Sequence, residues 1–296
     1  MPDLLKLEIA GVRIGIDAGG MDIICHADPA YRQFSETGTD FPYDIRITLT
    51  KDPLPDTRGS KKVFDSGESW SLFSSGEDYF LIFKPPVFDE PYLIARMDRD
   101  ISKAVIYCSR HLISEKEGGS AFINPVQYPL DQIMLMHYLA RRDGIIIHAA
   151  GLEIAGKAYI FPGKSGAGKS TLSRQFVGKE GFHLLSDDRI IVRKTDNSFA
   201  AYGTPWPGDE GIASNMNFPL SGIFFISHGD SNRIEPIRPQ KAMEKLLPVT
   251  SIPWYEEGLM TNMLTLCEDL TNIPAYEFYF KPETRTADFF RELVSG

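Results

Sequence analysis

Nine consecutive residues, Gly163–Thr171, read GKSGAGKST. Glycines at 163, 166 and 168 let the backbone turn through conformations that other residues resist. Its N–H groups, from Lys164, Ser165 and Ala167 as well as the glycines, can then converge on phosphate oxygens. Lys169 can reach β- and γ-phosphates, and the Ser170 hydroxyl can give an oxygen to Mg²⁺, with Thr171 closing the run. The flanks are those a phosphate-binding loop requires. An apolar strand, AYIF, leads in, and a helix with Leu172 and Phe176 on one face starts near Ser170. The positive end of that helix adds to the anion site. The run is therefore a P-loop (Walker A) element, and ATP with Mg²⁺ is the expected cofactor pair.

A second stretch, LLSDD, ends an apolar segment shortly after that helix. The strand carrying Asp187 and Asp188 is expected beside the strand that feeds the loop, with its carboxyl end at the phosphates. Strand residues alternate faces, so the two aspartates need not do the same job. One would hold Mg²⁺, directly or through water. The other would take a proton from an attacking hydroxyl. His148, in IIIHAAG, either satisfies itself within the core or serves the site. The turn-rich segment Tyr202–Gly211, YGTPWPGDEG, is either a loop over the nucleotide or a plain surface connection. Lys164, Arg174 and Arg189 are the cations nearest the loop in sequence, and one of them could neutralise transition-state charge.

Composition narrows the class. The chain has 296 residues, 43% hydrophobic and 24% charged, with a net charge of −9. An acidic chain is not drawn to nucleic acid or to an anionic membrane surface, so neither is expected as a partner. Cys25, Cys108 and Cys267 are widely spaced and form no CxxC pair, which favours reduced thiols in the cytoplasm over a disulfide framework or zinc site. No secretory signal and no membrane span is expected.

These residues need elements to hold them. Residues 1–120 read as a β-rich part, a small antiparallel module or a sheet extension, in which WSLF and YFLIF flank a hairpin turn at SSGED. PYLIARM and KAVIYCS are further strands, ADPAYRQFSE a short helix, and EKEGGSAFINPVQYP a joint. Residues 130–296 read as a second, α/β domain. It opens with an amphipathic helix carrying Leu130, Ile133, Met134, His137 and Tyr138 and ending at Gly144. A strand ending near His148, a turn at Ala155–Gly156, a strand FHLLSDDRIIVRK carrying the two aspartates, a strand FPLSGIFFIS and helices at PQKAMEKLLP and TADFFRELV complete it.

The ordered set HAAG, AYIFPGKSGAGKST and LLSDD resembles the C-terminal kinase domain of HPr kinase/phosphorylase, a fold shared with phosphoenolpyruvate carboxykinase. The resemblance spans roughly residues 130 to 235. It is nearest the HPr-kinase-related proteins, some of which phosphorylate serine in small ribosomal peptides of the lasso type. It implies an α/β, P-loop kinase domain in which Lys169 and Ser170 bind triphosphate and Mg²⁺. Asp187 would be the base that deprotonates a serine hydroxyl, Asp188 would lie nearer the metal, and His148 would be functional. Homo-oligomers occur in that family. The chain departs from it in two places. Thr171 stands where a glutamate usually follows the loop serine, and GIASNMNFPLSGIFFI replaces the signature tied to dephosphorylation. The expected activity is thus transfer of the ATP γ-phosphate to a serine hydroxyl of a peptide or protein. A small-molecule hydroxyl kinase and a nucleotide-gated binding protein are the alternatives.

Overall fold

A computed structural model describes residues 5–24, 29–38, 42–116, 119–196, 198–282 and 285–295. Cys25 lies outside the described residues. The chain divides into two compact units, Met1–Tyr138 and Leu139–Gly296.

The first unit is built on an eight-stranded sheet. The hairpin forms where the turn residues place it, with Trp70–Ser75 antiparallel to Asp78–Phe83 and Gly76 taking a φ of 57°. The expectation of a small antiparallel module is corrected, because Val12–Asp17 and Lys103–Cys108 both run parallel to Ile45–Thr50. The stretch read as a joint instead holds a second hairpin, Ile113–Lys116 with Gly119–Ile123. Helix Leu130–Leu139 lies at the end of this unit. Its Asp131 is buried and accepts a 2.6 Å hydrogen bond from Tyr31, which ties it to residues far upstream. The helix ends at Leu139 rather than Gly144, which instead opens the next strand. It buries most of its circumference, including Leu135 and His137, so a single apolar stripe was too narrow a description.

The second unit is α/β. Two long strands, Gly144–Ile154 and Asn217–His228, each serve two sets of neighbours. The first half of Gly144–Ile154 pairs with Arg189–Lys194, and its second half pairs with Lys157–Pro162 and His183–Ser186. The strand thus continues six residues beyond His148 before turning at Ala155 and Gly156, both at positive φ. Lys157–Pro162, Asn217–His228 and Ala275–Phe280 run parallel. His183–Ser186 shares their direction, because it and Lys157–Pro162 are both antiparallel to Gly144–Ile154. Four strands therefore end on one edge, the usual place for ligands in open α/β sheets.

Each face of this sheet carries its own core. One is aliphatic and covered by helices Pro239–Leu246 and Glu257–Leu270, with Leu259, Met263, Leu266 and Leu270 buried at helical spacing. The other is aromatic. Phe290, on helix Thr286–Ser295, is fully buried among Tyr159, Phe161, Phe176, Phe224 and Phe278, with ring centroids 5.0–6.3 Å away. Phe161 and Phe176 bracket the glycine-rich loop in sequence, so this packing fixes the base on which the loop stands. No helix among the described residues is long and apolar enough to cross a membrane.

Candidate functional site

The loop 163–168 leaves the strand Lys157–Pro162 and enters a short helix, Lys169–Arg174. Its path depends on residues without a Cβ. Gly166 and Gly168 take φ values of 79° and 99°, and a Cβ on Gly163 would stand 2.8 Å from that of Ala167. The tight loop closes around Lys169. Its side chain runs back along the loop, and Nζ donates to the carbonyl oxygens of Gly163 at 2.8 Å and Lys164 at 3.2 Å. Lys169 is 6% exposed and has no carboxylate within salt-bridge distance among the described residues. Burial lowers its pKa, and the charge of Arg189 lowers it further, against the pull of Asp188 and Asp187.

The aspartates do not sit on an unbroken strand. His183–Ser186 stops at Ser186, and Arg189–Lys194 starts after a bend containing Asp187 and Asp188. The buried Ser186 hydroxyl accepts from the N–H groups of Asp188 and Arg189, both at 3.3 Å, and so forms the bend. Nor do these strands lie directly beside the loop's feeding strand, because Gly144–Ile154 runs between them. That interposed strand brings in His148. Its carbonyl oxygen accepts from Gly163 at 3.1 Å, and the next N–H, of Ala149, donates to Asp188 at 3.0 Å. His148 is therefore stitched to the loop on one side and to the aspartate bend on the other.

The two carboxylates differ completely in surroundings. Asp187 is 1% exposed. Its Oδ1 accepts from Gly208 N at 2.8 Å and Ile212 N at 3.3 Å, and its Oδ2 accepts from Glu210 N at 2.8 Å. Asp188 is partly exposed. Its Oδ1 lies 2.8 Å from Nε2 of His148, and its Oδ2 lies 2.7 Å from Nη1 of Arg189. Burial alone would raise the Asp188 pKa. The His148 hydrogen bond and the charges of Arg189, His148 and Lys169 outweigh it, so the carboxyl sits below its ordinary value. An ionised carboxylate only accepts, so this geometry puts the His148 proton on Nε2.

A cavity of about 350 Å³ gathers these groups. His148, Ser165, Gly166, Gly168, Lys169, Ser170, Thr171, Arg174 and Asp188 line it, with Gly208 and Asp209. Most of the residues picked out for chemistry line this cavity or belong to the loop that frames it, and Arg189, which is not on the wall, reaches it through Asp188. Asp187 is the exception, because its carboxylate faces the backbone of the 208–212 turn instead of the cavity. Of the Tyr202–Gly211 segment, Gly208 and Asp209 lie on the cavity wall. Asp209 and Glu210 carry no signal in the sequence beyond the turn formers around them. Among the described residues no three His, Cys, Asp or Glu side chains are grouped to cage a metal ion.

The family model described as SynChlorMet cassette protein ScmC matches residues 126–265. The matched span takes in the glycine-rich loop, the aspartate bend and the 208–212 turn. Among solved structures, the Hpr(Ser) kinase/phosphatase from Coxiella burnetii overlaps 51% of this chain and 99% of its own. The identity is 13% and the TM-score 0.30. An overlap that loose carries no functional weight. No curated protein matches the chain.

Proposed function

We propose that this protein is an ATP-dependent phosphotransferase that moves the γ-phosphate onto a hydroxyl, with a serine of a peptide or protein as acceptor. The observation that carries this reading is Lys169. A buried ammonium paired only with two carbonyl oxygens is costly to keep. It is held at the wall of a cavity, inside a glycine-rich loop, where an anionic ligand would supply the missing counter-charge. The nearby Asp188 is kept ionised, as a proton acceptor must be.

The donor set fits Mg²⁺ that arrives with a nucleotide. Magnesium binds through one or two carboxylates plus phosphate oxygens and water, so it needs no all-protein cage. Ser170 and Asp188 are the oxygen donors that would hold it, and a bound nucleotide–metal pair would supply the transferable phosphoryl group. A carboxylate has about four acceptor positions. His148 and Arg189 occupy two on Asp188, which leaves room for a metal or its water and for the acceptor hydroxyl. In this reading Asp188, not Asp187, takes the hydroxyl proton. His148 and Arg189 orient it and keep it charged. The Lys169 ammonium and the loop N–H groups stabilise phosphate charge, so catalysis is mainly positioning and electrostatics.

A nucleotide-gated binder would need no proton acceptor. The carboxylate clamped between His148 and Arg189 therefore favours transfer. Serine-bearing peptides are the first acceptors to try, including small ribosomal peptides of the lasso type. Calorimetric titration of ATP with Mg²⁺ tests the reading. Wild type should bind with Lys169→Ala at least tenfold weaker, the loss expected for removing one charged phosphate contact. A wild type that binds no nucleoside triphosphate would contradict it.

A further inference from the structure

One carboxylate holds the 208–212 turn. Asp187 lies more than twenty residues upstream, yet all three of its hydrogen-bond donors come from this short turn. A carboxylate buried this deeply is tolerable only when its oxygens are satisfied, and fixed backbone donors satisfy them without side-chain freedom. In return, the turn places Gly208 and Asp209 on the cavity wall with Lys169, Ser170 and Asp188.

A second contact secures the same turn. The Glu210 carboxylate takes the Arg174 guanidinium at 2.7 Å from Nε and 2.6 Å from Nη2. Arg174 belongs to the helix that follows the glycine-rich loop and itself lines the cavity. The packing leaves no slack. A Cβ on Gly208 would lie 3.0 Å from Asp187 Oδ2 and 3.1 Å from Asp188 Cβ. Any shift of the turn is therefore felt by both aspartates.

We propose that Asp187 is a positioning residue. It fixes the 208–212 turn as the wall of the cavity, and Arg174 and Glu210 latch that wall to the helix of the glycine-rich loop. Its bearing on catalysis rests on the phosphotransfer reading above. Nothing in that role requires Asp187 to exchange a proton, because three backbone amides hold its two oxygens toward the turn.

Hydrogen exchange of the 208–212 amides, nucleotide affinity and the pH–rate profile test this in Asp187→Asn, Gly208→Ala and Asp188→Asn. An asparagine keeps one acceptor oxygen but turns an NH₂ group toward an amide that also donates. Asp187→Asn should therefore speed exchange across 208–212 by roughly tenfold or more, as expected on losing a charge-assisted hydrogen bond. It should lower kcat/KM for the nucleotide while the acid limb of the profile stays at its wild-type pH. Asp188→Asn should leave the exchange at the wild-type rate. Unchanged exchange in Asp187→Asn, or disappearance of the acid limb in that variant, would overturn the proposal. If Asp187→Asn does not fold, Gly208→Ala crowds the carboxylate from the turn side. Faster exchange there supports the anchor, and wild-type exchange and activity contradict it. A wild type without phosphotransfer would sink the functional reading, yet the exchange comparison would still decide whether Asp187 anchors the turn.

Discussion

Nε2 of His148 stands 2.8 Å from Oδ1 of Asp188, and strand register explains why. His148 pairs with Arg189 across the ladder, so the residue before Arg189 falls beside the imidazole just where the strand bends. The same step leaves the Arg189 guanidinium on the other carboxylate oxygen. The Asp188 carboxylate is thereby fixed from two sides by the local fold.

That clamp predicts a pH response. Burial would raise the Asp188 pKa, but His148, Arg189 and Lys169 together bring it below the ordinary carboxylate value. The folded state then favours the ionised form. The stability gained is full above the unfolded carboxylate pKa and is lost as pH falls through the lowered folded value. His148→Ala removes the largest of the favourable contributions. It should shift both this loss and the acid limb of kcat to higher pH. Urea melts and rate profiles between about pH 3 and 6 would read the shift, and an unmoved acid limb would count against the pair.

Lys169 should trade stability for function. Its pKa is lowered chiefly by burial. The unfolded chain therefore binds more protons than the folded one between the lowered value and the ordinary lysine value, and stability rises with pH across that window. Lys169→Met replaces a desolvated charge with an apolar chain of similar length. The variant should melt at or above the wild-type temperature at neutral pH, lose the alkaline gain, and bind ATP poorly. A melting temperature well below wild type would mean that the ammonium stabilises the empty loop.

Two glycines in the loop should fail for different reasons. Gly163→Ala meets the Ala167 Cβ at 2.8 Å, so the loop must shift, at a cost of about 1–3 kcal/mol. Gly166→Ala meets nothing within 4 Å but must hold φ near 79°, a strain of about 1–2 kcal/mol. Denaturant melts give the two costs. ATP titration should show Gly163→Ala to be the more damaging to binding, since only there must neighbouring loop atoms move.

The aromatic core should couple stability to the site. Phe290 is fully buried against Phe161 and Phe176, which flank the loop. Phe290→Ala should cost about 3–5 kcal/mol and weaken ATP binding in the same variant. Full-strength binding in a folded Phe290→Ala protein would separate the loop from its support.

Much of the site can be read from local sequence, because its chemistry is local. The loop's glycines, Lys169 and Ser170 are contiguous, and the 70–83 hairpin is set by its turn. The rest depends on contacts distant in sequence. Asp187 and Asp188 are adjacent and chemically identical. What separates them is a bend made by Ser186 and three amides more than twenty residues downstream. Strand alternation could not assign their roles, because neither residue is in a strand. Parallel pairing of Val12–Asp17 with Ile45–Thr50 likewise joins segments with no shared turn. Helix Glu257–Leu270 carries Leu259, Met263, Leu266 and Leu270 at helical spacing, with Thr261 and Thr265 on its exposed face, a pattern that the sequence reading did not pick out.

The measurement that tests the central claim most directly is phosphate transfer from γ-labelled ATP with Mg²⁺, read by mass on serine-bearing peptides and free serine. Wild type and Asp188→Asn would be run side by side. The account predicts one added phosphate per acceptor with wild type, and transfer lower by about 10²–10⁴-fold in Asp188→Asn with nucleotide still bound. Transfer at the wild-type rate in Asp188→Asn would contradict it.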